Sequence, residues 1–183
     1  MLVNLRALLV RLIDIVLLRG GPEQLPASSG LLAVVIALYV AVSALMSSVL
    51  TKAPIDWETQ LLAQTAVTFL WFRVAFSLAN KPERFLQTVT AVFGVITLFA
   101  PAYIPIHAEL QPYFLNPDPK TPPPMGLMLL GLIAELWLLT VLVRIARAAF
   151  EWPLFGSIIF ILGMIFTSAL VYGTLFGVPP SAV

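Results

Sequence analysis

The chain has 183 residues, 60% of them hydrophobic and only 10% charged, with a mean hydropathy of +1.00, whereas soluble domains carry about a quarter charged residues. A net charge of +1 gives no basis for a nucleic-acid surface. The absence of Cys excludes disulfides, thiolate zinc sites, iron–sulfur clusters and c-type haem attachment, and a single His excludes a bis-histidine haem. The composition is that of an all-α, polytopic integral membrane protein forming one domain, and no cofactor is expected.

Residues 1–19 resemble a signal peptide at first, but Arg6, Arg11 and Asp14 interrupt the apolar run and no small-residue cleavage site follows. The segment is expected to be retained. Asn4, Ala7, Arg11 and Asp14 recur at helical spacing and form a narrow polar strip, which predicts an amphipathic helix in the membrane interface or packed beneath the bundle. Gly20, Gly21 and Pro22 end it, and Ser28 with Ser29 offers the start of the next helix.

Five spans are predicted, at about 29–50, 61–79, 85–104, 125–146 and 153–177. The first carries small residues at Ser29, Ala33, Ala37 and Ala41, and the fifth at Ala169, Gly173 and Gly177. Such stripes let helices approach closely in a bilayer. Contact with another helix of the same chain is the favoured expectation, with homo-oligomerisation as the alternative. The second span is the least apolar, carrying Gln64, Thr65, Thr68 and Arg73, and should need protein neighbours. The fourth holds Glu135, and its eleven Leu, Ile and Val residues between Leu127 and Val143 offset that cost by roughly 3 to 7 kcal/mol.

Between the third and fourth spans, residues 101–124 contain eight prolines together with Tyr103, Tyr113 and Phe114. This stretch is expected to be an ordered extracytoplasmic cap or a partner-binding loop that contains a solvated His107. Pro122, Pro123 and Pro124 should lead into the fourth helix, since Pro is tolerated at a helix N-terminus.

Topology follows from the basic residues. With these spans, eight of the ten Lys and Arg residues fall on one side, and only Lys52 and Lys120 on the other. Because cytoplasmic segments accumulate Lys and Arg, the N-terminus is expected inside and the C-terminus outside.

Two intramembrane charges invite a functional claim. The second and fourth spans both run outside to inside, and a rise of about 1.5 Å per residue puts Arg73 and Glu135 at similar depth. An Arg73–Glu135 ion pair is therefore expected, with a structural role favoured over a polar pocket or a transport path. At the start of the third span, Arg84, Gln87 and Thr88 set polar groups at headgroup depth beside a helix N-terminus, which attracts anions. A lipid or acidic-peptide contact completed by Arg73 is one reading. An interface-anchored helix whose Gln and Thr bond to neighbours is the more economical one.

Two stretches carry a family resemblance: Arg19-Gly20-Gly21-Pro22-Glu23-Gln24-Leu25-Pro26-Ala27-Ser28, and the run from Lys81-Pro82-Glu83-Arg84-Phe85 through Leu86-Gln87-Thr88-Val89-Thr90-Ala91-Val92-Phe93-Gly94. With five spans, the chain resembles small bacterial membrane proteins of the Yip domain (Ypt-interacting protein) family. The resemblance implies a five-helix membrane domain, a cytoplasmic N-terminus and association with itself or with other membrane proteins. The long N-terminal region and acidic-aromatic motif of eukaryotic members are missing, so GTPase binding is not carried over.

The expected function is that of a noncatalytic accessory subunit, assembly factor or scaffold in a bacterial inner-membrane complex, with other integral membrane proteins and lipids as partners. A small transporter or channel using Arg73 and Glu135 is the alternative. A lipid-modifying enzyme ranks last, because the chain offers no paired carboxylates, metal cluster, or nucleophile with a base.

Overall fold

A computed structural model describes residues 5–49, 57–115 and 121–177. These residues are helical with no strand: α1 (Leu5–Val16), α2 (Ser29–Val49), α3 (Trp57–Leu78), α4 (Phe85–Leu115), α5 (Met125–Phe150) and α6 (Leu154–Phe176). Short 3₁₀ turns at Pro22–Gln24 and Pro82–Arg84 precede α2 and α4. Helices α2 to α6 are long and apolar enough to cross a membrane, so the chain has the architecture of a multi-pass membrane protein. Lys52 and Lys120, the two basic residues assigned to the outer side, lie outside the described residues.

Local chemistry sets the helix ends. The Ser28 hydroxyl accepts the backbone N–H of Leu31 at 3.3 Å, capping the start of α2. At the end of α3, Asn80 adopts a left-handed conformation (φ 52°) and the Lys81 N–H reaches back to the Phe76 carbonyl at 3.1 Å. That arrangement satisfies carbonyls the helix leaves free. Pro124 occupies the cap position of α5 and Pro153 that of α6, where neither removes a helical hydrogen bond.

Helix α4 is the centre of the bundle. It packs against α1, α2, α3 and α5, while α6 closes the far side against α3 and α5. Residues 88–95 of α4 are buried without interruption, as expected of a helix surrounded by others. Thr88, Thr90 and Thr97 satisfy their hydroxyls within α4 by donating to the carbonyls of Arg84, Leu86 and Phe93 at 2.7–2.8 Å.

The stretch expected to form a loop from residue 101 is instead a continuation of α4 as far as Leu115, with Pro101, Pro105 and Pro112 inside the helix. Phe99, Tyr103, Ile106 and Leu110 are buried at helical spacing along one face, which holds the helix together across its prolines. Each proline deletes one backbone bond, a loss that membrane helices tolerate when neighbours pack around them. His107 is thus helical and stacks on Tyr103, with ring centroids 5.7 Å apart. At 31 residues, α4 is about 46 Å long, well beyond a hydrocarbon core of about 30 Å.

Packing is uneven along the bundle. At the end that holds Lys81, Arg84, Arg147 and Glu151, here called the basic end, an aromatic block fills the interior. Phe76 stacks on Phe150 at 4.3 Å, Phe150 on Trp152 at 4.4 Å, and Phe72 meets Phe160 edge-on at 5.3 Å. Toward the opposite end the helices are less covered. Every buried residue of α5 lies at or beyond Val141, and Met125, Leu129, Leu130, Leu132, Ile133 and Leu136 are exposed.

The amphipathic N-terminal helix has a defined place. Leu8, Leu12 and Ile15 of α1 are buried, and the helix packs along α4 and α5. Trp137 of α5 donates its indole N–H to the Val16 carbonyl at 3.1 Å.

Candidate functional site

Three places collect side chains capable of recognition. The first is at the basic end, where the termini of α3, α4 and α5 converge. Glu151 follows α5 in a left-handed conformation (φ 60°, ψ 31°). Its carboxylate accepts Lys81 Nζ at 2.5 Å and Arg84 Nη2 at 2.7 Å. The same two cations cover the end of α5: Lys81 donates to the Phe150 carbonyl at 3.1 Å, and Arg84 Nη1 to the carbonyls of Ala149 at 3.1 Å and Ala148 at 3.4 Å. Cations belong at a helix C-terminus, where unpaired carbonyls concentrate negative charge. Hydrogen bonds from Lys81 and Arg84 hold the Glu151 carboxyl below its usual pKa.

The residues expected to meet lipid or an anionic group lie here, and the chain itself occupies their polar atoms. Gln87 Nε2 donates to the Leu25 carbonyl at 2.8 Å, tying α4 to the segment before α2. Thr88 bonds within its own helix, and Arg84 is taken up by Glu151 and α5. A cavity of about 330 Å³ bordered by Arg84, Gln87, Thr88, Pro22, Glu23 and Glu151 remains beside them. Arg73 does not complete it. Its guanidinium lies 5.4 Å from the centre of the Phe85 ring, a cation–π contact. The Lys81–Glu151 pairing was not anticipated from the sequence, although Lys81 lies three residues past the end of α3, Glu151 directly follows α5 and their charges are opposite.

The second place is an apolar groove of about 800 Å³ along α3 and α6, bordered by Leu70, Trp71, Val74, Leu78, Phe160 and, at the basic end, Lys81. Trp71 lies against Gly163, where an added Cβ would come within 3.2 Å of the indole. Its indole N–H is buried with no hydrogen-bond partner.

The third is a cavity of about 250 Å³ among α2, α4 and α5, lined by Tyr39 and Ser43, by Thr97, Phe99 and Tyr103, and by Glu135 and Leu138. Glu135 makes no ion pair there. Among the described residues the salt bridges are Lys81–Glu151 and Arg84–Glu151, so the expected Arg73–Glu135 pair does not form. Matching depth was insufficient, because α4 and α6 lie between α3 and α5, each packing against both.

The small-residue stripes also differ from the favoured expectation. Ala33, Ala37 and Ala41 face outward on α2, whose buried face is Leu31, Leu32, Val35 and Tyr39. Ala169, Gly173 and Gly177 are likewise exposed, with open space where a Cβ at Gly173 would stand. Among the described residues neither stripe is buried, and larger side chains on the adjoining faces form the buried sides of these helices.

Comparison with protein-family models, curated proteins and solved structures gave no match to this chain.

Proposed function

We propose that the chain is a noncatalytic membrane protein that acts through helix packing, as an accessory subunit, assembly factor or scaffold of a larger complex. The observation that carries this reading is what the polar side chains do at the basic end. Lys81, Arg84 and Gln87 bond to the chain's own carbonyls and to Glu151 rather than converging on an open reaction centre. They act as ties between helices, which suits a protein whose task is to hold a shape within a membrane.

The proposed setting is a bacterial inner membrane, with the N-terminus and the basic end on the cytoplasmic side, where Lys and Arg accumulate. Membership of the Yip domain group belongs to the same proposal and rests on the two quoted stretches and the five-helix plan. Other integral membrane proteins and lipids are the proposed partners, and the outward small-residue stripes on α2 and α6 are available for self-association.

A transporter built on Arg73 and Glu135 is not favoured. The two groups do not meet, and aromatic side chains fill the interior at the basic end. Extraction of tagged protein from its native membrane in mild detergent, with native sizing and mass spectrometry, tests the proposal. A stoichiometric set of membrane subunits is expected. Recovery of the chain alone or only as a homo-oligomer would overturn the accessory role.

A further inference from the structure

Glu135 lies near the middle of a membrane-length helix, ten residues from its start at Met125. It is exposed and, among the described residues, its carboxylate has neither a salt bridge nor a hydrogen-bond donor. In the wall of the same cavity, Tyr103 is 8% exposed, and its hydroxyl is buried without a partner. Two polar groups left unmatched in one apolar cavity at membrane depth are costly unless something completes them.

The surroundings indicate what completes them. Helices α2 and α5 both pack on α4 but scarcely touch each other, so α4 forms the floor of a cleft between them. Part of that floor is covered by α1, whose Leu12 lies over Gly94. From Ile96 to Tyr103 the floor lines the open cavity. Beside it, the half of α5 that carries Glu135 has no buried residue, and Met128 and Leu132, on the same side of the helix as Glu135, are 43% and 54% exposed. The cleft therefore offers an uncovered apolar helix surface with one carboxylate set into it. Three aromatic rings, Tyr39, Phe99 and Tyr103, stand around that cavity, and aromatic faces favour a cation.

We infer that this cleft receives a transmembrane helix of a partner subunit, and that a Lys or Arg side chain of that helix enters the cavity to pair with Glu135 and accept the cover of Tyr103. The inference rests on the accessory-subunit reading and names the chemistry of its partner. Charge complementarity selects the occupant. A phospholipid brings its charged groups to the membrane surface rather than to its middle. A purely apolar helix would cover α5 but leave Glu135 and Tyr103 unmatched.

The test uses purified full-length protein in liposomes with designed Leu/Ala transmembrane helices carrying Lys, Leu or Glu at the midpoint, and association is read by fluorescence energy transfer. The Lys helix is expected to associate about tenfold or more tightly than the Leu helix, with the Glu helix weakest. Glu135→Gln should erase the Lys preference while the thermal unfolding midpoint stays near wild type, and Tyr103→Phe should reduce it. The ranking of the three helices on the wild-type protein needs no variant to fold. Equal association of all three, or a Lys preference that survives in folded Glu135→Gln, would overturn the inference. So would Glu135-dependent binding of tetraphenylphosphonium without any Lys-helix preference, which would assign the cavity to small organic cations. If extraction yields a stoichiometric complex while the Lys preference is absent, the accessory role stands and this partner chemistry fails.

Discussion

Gly94 of α4 lies so close beneath Leu12 of α1 that a methyl group added at Gly94 would stand 2.7 Å from Leu12 Cδ2. Leu12 is itself 4% exposed and has little room to withdraw. The contact locks the N-terminal helix onto the central one.

Gly94→Leu is accordingly expected to destabilise the protein in detergent by about 1–3 kcal/mol, the usual cost of overpacking. Its main effect should be release of α1, seen as faster amide exchange over residues 5–16 and altered emission from Trp137, whose indole bonds Val16. Combining it with Leu12→Ala should restore part of the loss. An unchanged midpoint and unchanged exchange in Gly94→Leu would contradict the contact.

At the basic end, the pH dependence has a definite sign. Hydrogen bonds from Lys81 and Arg84 lower the folded pKa of Glu151, so its contribution to stability is present above the unfolded value and fades as pH falls through the folded one. Stability should therefore fall as pH drops from the ordinary Glu range near about 4.3 to the lower folded pKa. Glu151→Gln should be less stable than wild type at neutral pH and should converge with it in acid. Parallel pH curves for the two proteins would remove the clasp as a stabilising element.

Phe76 is fully buried and stacks on Phe150 at 4.3 Å. Phe76→Ala should cost about 3–5 kcal/mol through lost contact and the cavity left behind. Phe76→Leu should cost clearly less. Thermal unfolding of the two variants in one detergent measures the difference, and equal losses would mean that the aromatic block is not closely packed.

Pro105 is exposed within α4 and deletes the backbone bond that would otherwise reach the Pro101 carbonyl. Pro105→Ala should restore that bond and raise stability by up to about 3 kcal/mol. In an irregular loop the same change would lower stability by loosening the unfolded chain. The direction of the midpoint shift therefore distinguishes a helix from a loop at this position.

The spans were legible because a membrane helix is set by length and apolar content, which are local properties. The extension of α4 was legible too, in the helical spacing of Phe99, Tyr103, Ile106 and Leu110, but the density of prolines outweighed it. That weighting comes from water, where a proline-broken helix can satisfy its backbone with solvent. Here the burial of Phe99, Tyr103, Ile106 and Leu110 along one face carries the helix across its prolines. The Arg73–Glu135 pairing failed for a different reason. Depth can be counted along one helix, whereas adjacency between α3 and α5 depends on how all the helices pack. Arg84 and Gln87 were placed at the correct end of a helix, yet their partners Leu25, Ala149 and Glu151 are distant in sequence.

The central position of α4 also dictates an order of events. Helix α1 is made before α4 and α5, but the surfaces that bury Leu8, Leu12 and Ile15 belong to those later helices. Until then its apolar face needs another cover, and a membrane surface is one that an amphipathic helix can use. Docking of α1 thus becomes a late step of folding, and a nascent chain halted before α5 would carry α1 without the full surface that buries it.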